Sequence, residues 1–197
     1  KADNIPTRRR GIADYKLNIA LSGRITMEKH EKWRGDGIDL RLGCNSFNTH
    51  QESLDAAKAC VRGDVPDHIP GLGHATTAFE NGSAPDGCDI FWFWTGLTPT
   101  DPRDGWDVAK KITDRVISDA SHYYQGIEFL EVARRDLALP VIEERFWAIE
   151  GSVYHVDPVI SRFGPLKPAN KFAGYRTPVP GLYLTGGGTH PVAGISG

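Results

Sequence analysis

Three consecutive glycines, Gly186, Gly187 and Gly188, follow the apolar run Leu182-Tyr183-Leu184-Thr185. A strand that opens into glycines lets a backbone approach a ligand closely, and a helix N-terminus beyond it would favour phosphate. The spacing is not the full dinucleotide fingerprint. Pro191 stands where the third glycine belongs, and no room remains for a second strand with its acidic residue. The chain therefore holds no Rossmann unit of its own, and an ordinary turn is the commoner reading of such glycines.

Other reactive side chains are scattered. His155 and His190 each stand at a strand end beside proline or glycine, and neither has a partner at metal-ligand spacing. Cys44, Cys60 and Cys88 are an odd count without a Cys-x-x-Cys pair, which predicts reduced thiols, a cytoplasmic location and no metal site. Ser196 lies too far beyond Leu184 to form a nucleophile elbow. Glu143-Glu144 and Glu128/Glu131 read as solvated faces rather than an acid–base pair, so no residue is assigned a catalytic role. The run Ile90-Phe91-Trp92-Phe93-Trp94 is either core, the commoner case, or the wall of an apolar cavity.

The elements that position these residues follow from periodicity. Tyr15, Leu17, Ile19 and Leu21 alternate with Lys16 and Asn18, the period of a half-buried strand over 14–22, and 38–42 repeats the pattern. Thr49-His50-Gln51-Glu52 has capping-box spacing and opens a short helix that Gly63 and Pro66 end. Strands are expected at 74–79 and 88–95, the second apolar on both faces and so central in its sheet. A helical stripe runs over 104–124 through Trp106, Ala109, Ile112, Val116, Ile117, Ala120 and Tyr123. A strand at 127–132, a helix from Pro140, an extended piece at 152–155 and a short buried strand at 182–185 complete the reading. Runs of strands with a few helices between them predict an α+β fold with a mainly antiparallel or mixed sheet.

Composition limits the function. The chain has 197 residues, 40% hydrophobic and 24% charged, with five Trp, six Tyr and eight Phe, which is ample surface for a packed core. A net charge of −2 carries no basic face for nucleic acid, and Arg8-Arg9-Arg10 is the one dense basic run. No apolar run approaches the roughly 18 residues of a membrane span. Lys1 has no Met before it, and the chain closes on a glycine-rich loop poised to enter a helix. Both ends predict part of a longer protein.

The stretch Tyr175-Arg176-Thr177-Pro178-Val179-Pro180-Gly181-Leu182-Tyr183-Leu184-Thr185-Gly186-Gly187-Gly188-Thr189-His190-Pro191 resembles a C-terminal signature of phytoene-desaturase-like oxidoreductases, within the superfamily of FAD-dependent amine oxidases, carotenoid desaturases and retinol-saturase-like proteins. Gly151-Ser152-Val153-Tyr154-His155 is similar to that family's glycine-to-histidine strand, and 84–94 to the strand of its substrate domain. The resemblance implies a substrate domain over 1–172 and a returning strand and loop of the FAD domain over 173–197. The cofactor would be FAD, held mostly by an N-terminal half that this sequence lacks. Gly186, Gly187, Gly188, Thr189, His190 and Pro191 carry over as flavin neighbours, and Phe91, Trp92, Trp94, Tyr154 and His155 as substrate-lining candidates. Val192-Ala193 departs from relatives that have glycines there. The expected activity is hydride transfer from an apolar substrate to flavin, by the whole protein rather than by this chain alone, with membrane contact at most peripheral. The alternative from another class is a non-catalytic module holding a lipid-like ligand around 91–94.

Overall fold

The computed structural model describes residues 12–43, 45–46, 48–80, 82–153, 164–166 and 173–189. Two compact units emerge, one over residues 11–138 and a second that takes in 139–197. Among the described residues no helix is long and apolar enough to cross a membrane.

The first unit is built on a five-stranded sheet of β1 (Ile12–Leu21), β2 (Asn45–Ser46), β3 (Leu72–Ala75), β4 (Asp89–Pro99) and β5 (Glu131–Leu137). The order is β2-β3-β4-β1-β5 and every neighbouring pair is antiparallel. Helices α1 (Glu28–Arg34), α2 (His50–Val61), α3 (Ala109–Ser121) and the single turn α4 (Ile127–Leu130) complete it. The α+β class and the central place of β4 are both as the sequence predicts.

Alternation makes β1 and β4 a two-sided pair. Tyr15, Leu17, Ile19 and Leu21 of β1 and Phe91 and Phe93 of β4 are buried in one cluster with Ile112, Val116, Ile117 and Ala120 of α3. Those α3 positions fall on one helical stripe, which is why this helix covers that face. Polar groups taken into the core are bonded there. The Tyr15 hydroxyl pairs with Thr113 Oγ1, and the Tyr124 hydroxyl donates to the Gly73 carbonyl at 2.8 Å. Burial pushes the Tyr15 hydroxyl well above the ordinary phenol range, with the hydrogen bond to Thr113 opposing it.

Helix α2 starts as its sequence predicts. Thr49 Oγ1 accepts from the Glu52 amide at 3.3 Å, and Glu52 accepts from the Thr49 amide at 2.6 Å. Its buried residues are small (Ala56, Ala59, Cys60) and allow close packing on β4 and β1. Burial raises the Cys60 thiol to about 12.

Four expectations change in this unit. The strand expected at 74–79 is β3, ending at Ala75, followed by a 3-10 turn over Thr76–Ala78. Residues 38–42 form no strand. Asp39 instead accepts from the Arg41 amide at 2.9 Å and caps a 3-10 turn over Leu40–Leu42. The expected strand at 127–132 is the turn α4 followed by β5, because Gly126 at φ 111 breaks the chain direction. The 104–124 helix is shorter, a 3-10 turn at Trp106–Val108 running into α3.

Asp89, 2% exposed at the start of β4, locks the register. Its carboxylate accepts from the Ile25 amide at 3.0 Å, the Arg41 guanidinium at 2.9 Å and the Thr77 hydroxyl at 2.7 Å. Arg41 also forks onto Asp39 at 2.7 Å. The Arg41 hydrogen bonds hold the Asp39 carboxyl below the usual carboxylate range.

In the second unit, α5 (Leu139–Phe146) contains Pro140 in its first turn, as expected. A 3-10 turn at Ile149–Gly151 packs on the start of α5. A Cβ on Gly151 would lie 2.7 Å from Leu139 Cα. Beyond it, residues 175–184 fold back through a single bridge, Arg176 to Tyr183, with the Leu184 amide donating to the Tyr175 carbonyl at 2.7 Å. The expected strand at 182–185 reduces to that bridge, and it is not buried, since Leu182 and Tyr183 are both exposed.

Two substitutions test these constraints. Asp89→Asn removes one of the two carboxylates that face Arg41, which keeps Asp39, and weakens the buried bonds to Ile25 and Thr77. It is expected to lower stability by about 1–2 kcal/mol, read as a shift of the urea midpoint. Gly71→Ala would place a Cβ 2.5 Å from Phe93 Cε2 and 2.8 Å from the Trp94 carbonyl oxygen. Overpacking there should cost about 2 kcal/mol, and an unchanged melting temperature would contradict the close approach.

Candidate functional site

Residues directly opposite one another on antiparallel strands point to the same side of a sheet. The pairings His74 with Trp92, Trp92 with Asn18 and Asn18 with Arg135 therefore form one row across β3, β4, β1 and β5. A second row beside it runs Leu72, Trp94, Lys16 and Leu137. Both rows lie on the side of the sheet opposite the Phe91 and Phe93 core, and their members are half-buried except the exposed Arg135.

Within the rows, aromatic and cationic groups touch. The His74 ring stacks on Trp92 with centroids 4.8 Å apart and planes at 18°, and meets the edge of Phe79 at 5.3 Å. Lys16 Nζ sits 5.6 Å from the centre of the Trp92 ring, within cation–π range. Burial lowers the His74 pKa below 6.5, and the Lys16 charge adds to the shift. The imidazole is therefore neutral at pH 7. Its Nδ1 has no hydrogen-bond partner among the described residues.

This face contains two of the candidate substrate-lining residues, Trp92 and Trp94. The third from the same strand does not join them. Phe91 is fully buried on the helix side, edge-on to Tyr124 at 5.0 Å, and is a core residue rather than a wall. The sequence run is apolar at all five positions, so only the presence of α3 on one side separates Phe from Trp. Tyr154 and His155 lie outside the described residues. His74 and Lys16 were not singled out in the sequence. Their signal was the register that sets each of them beside Trp92.

The glycine turn belongs to the second unit. Gly186 has φ 101, a conformation that side chains disfavour, and among the described residues no atom lies within 4 Å of where its Cβ would stand. The Thr189 amide and hydroxyl both donate to the Gly186 carbonyl, at 3.0 and 2.8 Å, and close the turn. The turn thus presents bare backbone with open space beside it, which fits close approach by a flat cofactor and offers no side-chain ligand. His190 and Pro191 lie outside the described residues.

A separate concavity of about 210 Å³ opens at Asp89, lined among others by Arg24, Arg41, Thr77, Glu80 and Asp86. Acids and bases alternate around it, and its most buried cation, Arg41, is already committed to Asp39 and Asp89. It reads as part of the structural lock. Among the described residues, no cluster of His, Cys, Asp and Glu could hold a metal ion.

No family model matches the chain. Among curated proteins, "Pyridine nucleotide-disulfide oxidoreductase domain-containing protein 2" of Rattus norvegicus is 34% identical over 190 residues, covering 92% of this chain and 32% of the rat protein. Its Mus musculus counterpart is 32% identical over 194 residues with the same coverage. "Phytoene desaturase (lycopene-forming)" of Pantoea ananas is 30% identical over 131 residues, 63% of this chain and 25% of that enzyme. The chain spans about a third of the length of the first two relatives, and it is homologous to a segment of these oxidoreductases.

The His74 environment makes a measurable statement. Its NMR titration midpoint is expected below 6.5, and Lys16→Gln should move it only part of the way back, because burial is the larger cause. For a base whose folded pKa is lowered, the stabilisation is present above 6.5 and lost as pH falls through the folded value. His74→Phe should accordingly flatten the acid limb of the stability profile, and an unaltered limb would contradict the assignment.

Proposed function

We propose that this chain is the substrate-domain portion of an FAD-dependent oxidoreductase that removes a hydride from an apolar organic substrate. The observation that carries the reading is the 34% identity over 190 residues to a protein named for its pyridine nucleotide-disulfide oxidoreductase domain, together with the match to a phytoene desaturase. On this reading residues 173–197 return to the FAD-binding domain, and Gly186, Gly187, Gly188 and Thr189 lie against the cofactor through backbone, with His190 and Pro191 following them. Bound flavin supplies the hydride acceptor.

The chain's own residues do the remaining work. Trp92 and Trp94 offer a half-buried aromatic surface against which an apolar substrate lies and from which water is displaced. His74, neutral and stacked on Trp92, extends that surface without adding charge. The free thiols of Cys60 and Cys88 fit the reducing cytoplasm in which we place the protein.

The same aromatic face would equally serve a lipid-binding module that uses no flavin, and one experiment separates the two. Purified full-length protein is expected to show flavin absorbance that survives desalting. Gly186→Val, forced to φ 101, should lose most of it, whereas Gly181→Val, under similar strain at φ 81 in the neighbouring turn, should keep it. Equal retention in both variants, or a colourless wild-type protein that takes up no added FAD, would favour the binding module.

A further inference from the structure

The two rows that cross the sheet are not uniform. Their β3 and β4 ends are Leu72, His74, Trp92 and Trp94, all apolar or aromatic and uncharged at pH 7. Their β1 and β5 ends hold Lys16, Asn18, Arg135 and Leu137, two cations, an amide and one apolar side chain. Neither Lys16 nor Arg135 forms an ion pair among the described residues, and the one contact assigned to Lys16 is the Trp92 ring at 5.6 Å. The acid nearest along β1, Asp14, is itself buried and lies beside Gly96, with its Oδ1 3.8 Å from where a Gly96 Cβ would stand.

Folding alone does not call for this arrangement. Lys16 is half-buried without a counter-ion among the described residues, which is a cost to the fold, and its position would hold the sheet equally well as Thr or Gln; Arg135 is exposed on the edge strand and carries no such cost. Asn18 and Arg135 are directly opposite, and Lys16 is a diagonal neighbour of Arg135, about 7 Å away between backbones. Both long side chains can therefore converge on one small anion above Asn18. From β3 to β5 the row spans three strand spacings, about 14 Å. That suits a body lying on His74 and Trp92 with a head at β1 and β5.

We propose that this face binds an elongated apolar molecule that ends in a carboxylate, with the body on Trp92 and His74 and the head between Lys16, Asn18 and Arg135. The proposal rests on the reading of this face as the substrate wall and adds to it the substrate class, an acid rather than a plain hydrocarbon. Recognition by Lys16 and Arg135 depends on the ligand head being ionised.

The test uses the purified full-length protein and cis-parinarate, a conjugated fatty acid that accepts energy from tryptophan, against its methyl ester, which has the same body and no charge. Wild-type protein is expected to bind the acid about tenfold more tightly than the ester, as a charge-assisted contact with partly exposed donors allows. Lys16→Gln and Arg135→Gln should each shrink that preference, and the double variant should abolish it by weakening the acid far more than the ester. Lys16→Arg, which keeps the charge, should retain it and guards against a loss through misfolding.

Equal binding of acid and ester, a preference untouched by the double variant, or no binding of either probe because other protein covers the face would each overturn the proposal. Flavin absorbance is read from the same samples. A protein that carries flavin yet shows no acid preference sinks the head-group assignment alone. One that prefers the acid but takes up no flavin sinks the oxidoreductase reading and leaves this site standing.

Discussion

The Asp89 carboxylate is 2% exposed and accepts from the Ile25 amide, the Arg41 guanidinium and the Thr77 hydroxyl. A carboxylate so buried is tolerable only when its oxygens are satisfied, and here the donors come from three separate segments. The segment after β1, the 3-10 turn over Leu40–Leu42 and the 3-10 turn after β3 are thereby tied to the first residue of the central strand. Sliding β4 by one residue would break all three contacts at once. It would also turn Phe91 and Phe93 outward and drive the larger Trp92 and Trp94 beneath α3, since side chains alternate with a period of two. The buried Asp89 bonds and the alternation of Phe91 and Phe93 with Trp92 and Trp94 thus enforce the same register.

From that fixed register the two faces acquire different tasks. Beneath α3 the packing is apolar, with the Tyr15 and Tyr124 hydroxyls each finding a partner across the helix–sheet boundary. On the far side the indoles of Trp92 and Trp94 remain half-buried, and the stacked His74 ring is desolvated enough to stay neutral. Strand β4 extends further through an irregular pairing with β1 between Ala13 and Tyr15. There the Leu97 amide turns to the Thr95 hydroxyl, and Thr98 donates to the Ala13 carbonyl. Such an extra residue bends a strand without ending it.

The sequence declared what was locally periodic or locally bonded. The alternation of Tyr15, Leu17, Ile19 and Leu21, the Thr49–Glu52 capping box and the α3 stripe were all legible, because each is complete within a few residues. The elements that were misread depend on a side chain competing with the backbone or on a partner distant in sequence. Asp39 and Arg41 convert an alternating run into a 3-10 turn by accepting and forking locally. Gly126 starts a turn where Ile127–Val132 has strand composition. The assignment of Phe91 to the wall fails for a related reason, since five successive apolar residues leave the inward and outward sets equal until α3 is placed. His74 carried no signal until register set it against Trp92.

The glycine turn and the sheet face carry different weight as indications of a ligand. Gly186 at φ 101 and the two Thr189 donations to its carbonyl account fully for the turn as a turn, so its geometry alone requires nothing beside it. The flavin reading therefore draws its support from the relatives and only its compatibility from the loop. The sheet face is the reverse case. Its relatives' names say nothing of Lys16, yet a half-buried cation without an acidic partner among the described residues, set over stacked aromatic rings, is not what the stability of an antiparallel sheet selects. Lys16, which the packing of the sheet does not require, is therefore a more informative position on this face than the aromatic rings, which the fold would bury in any case.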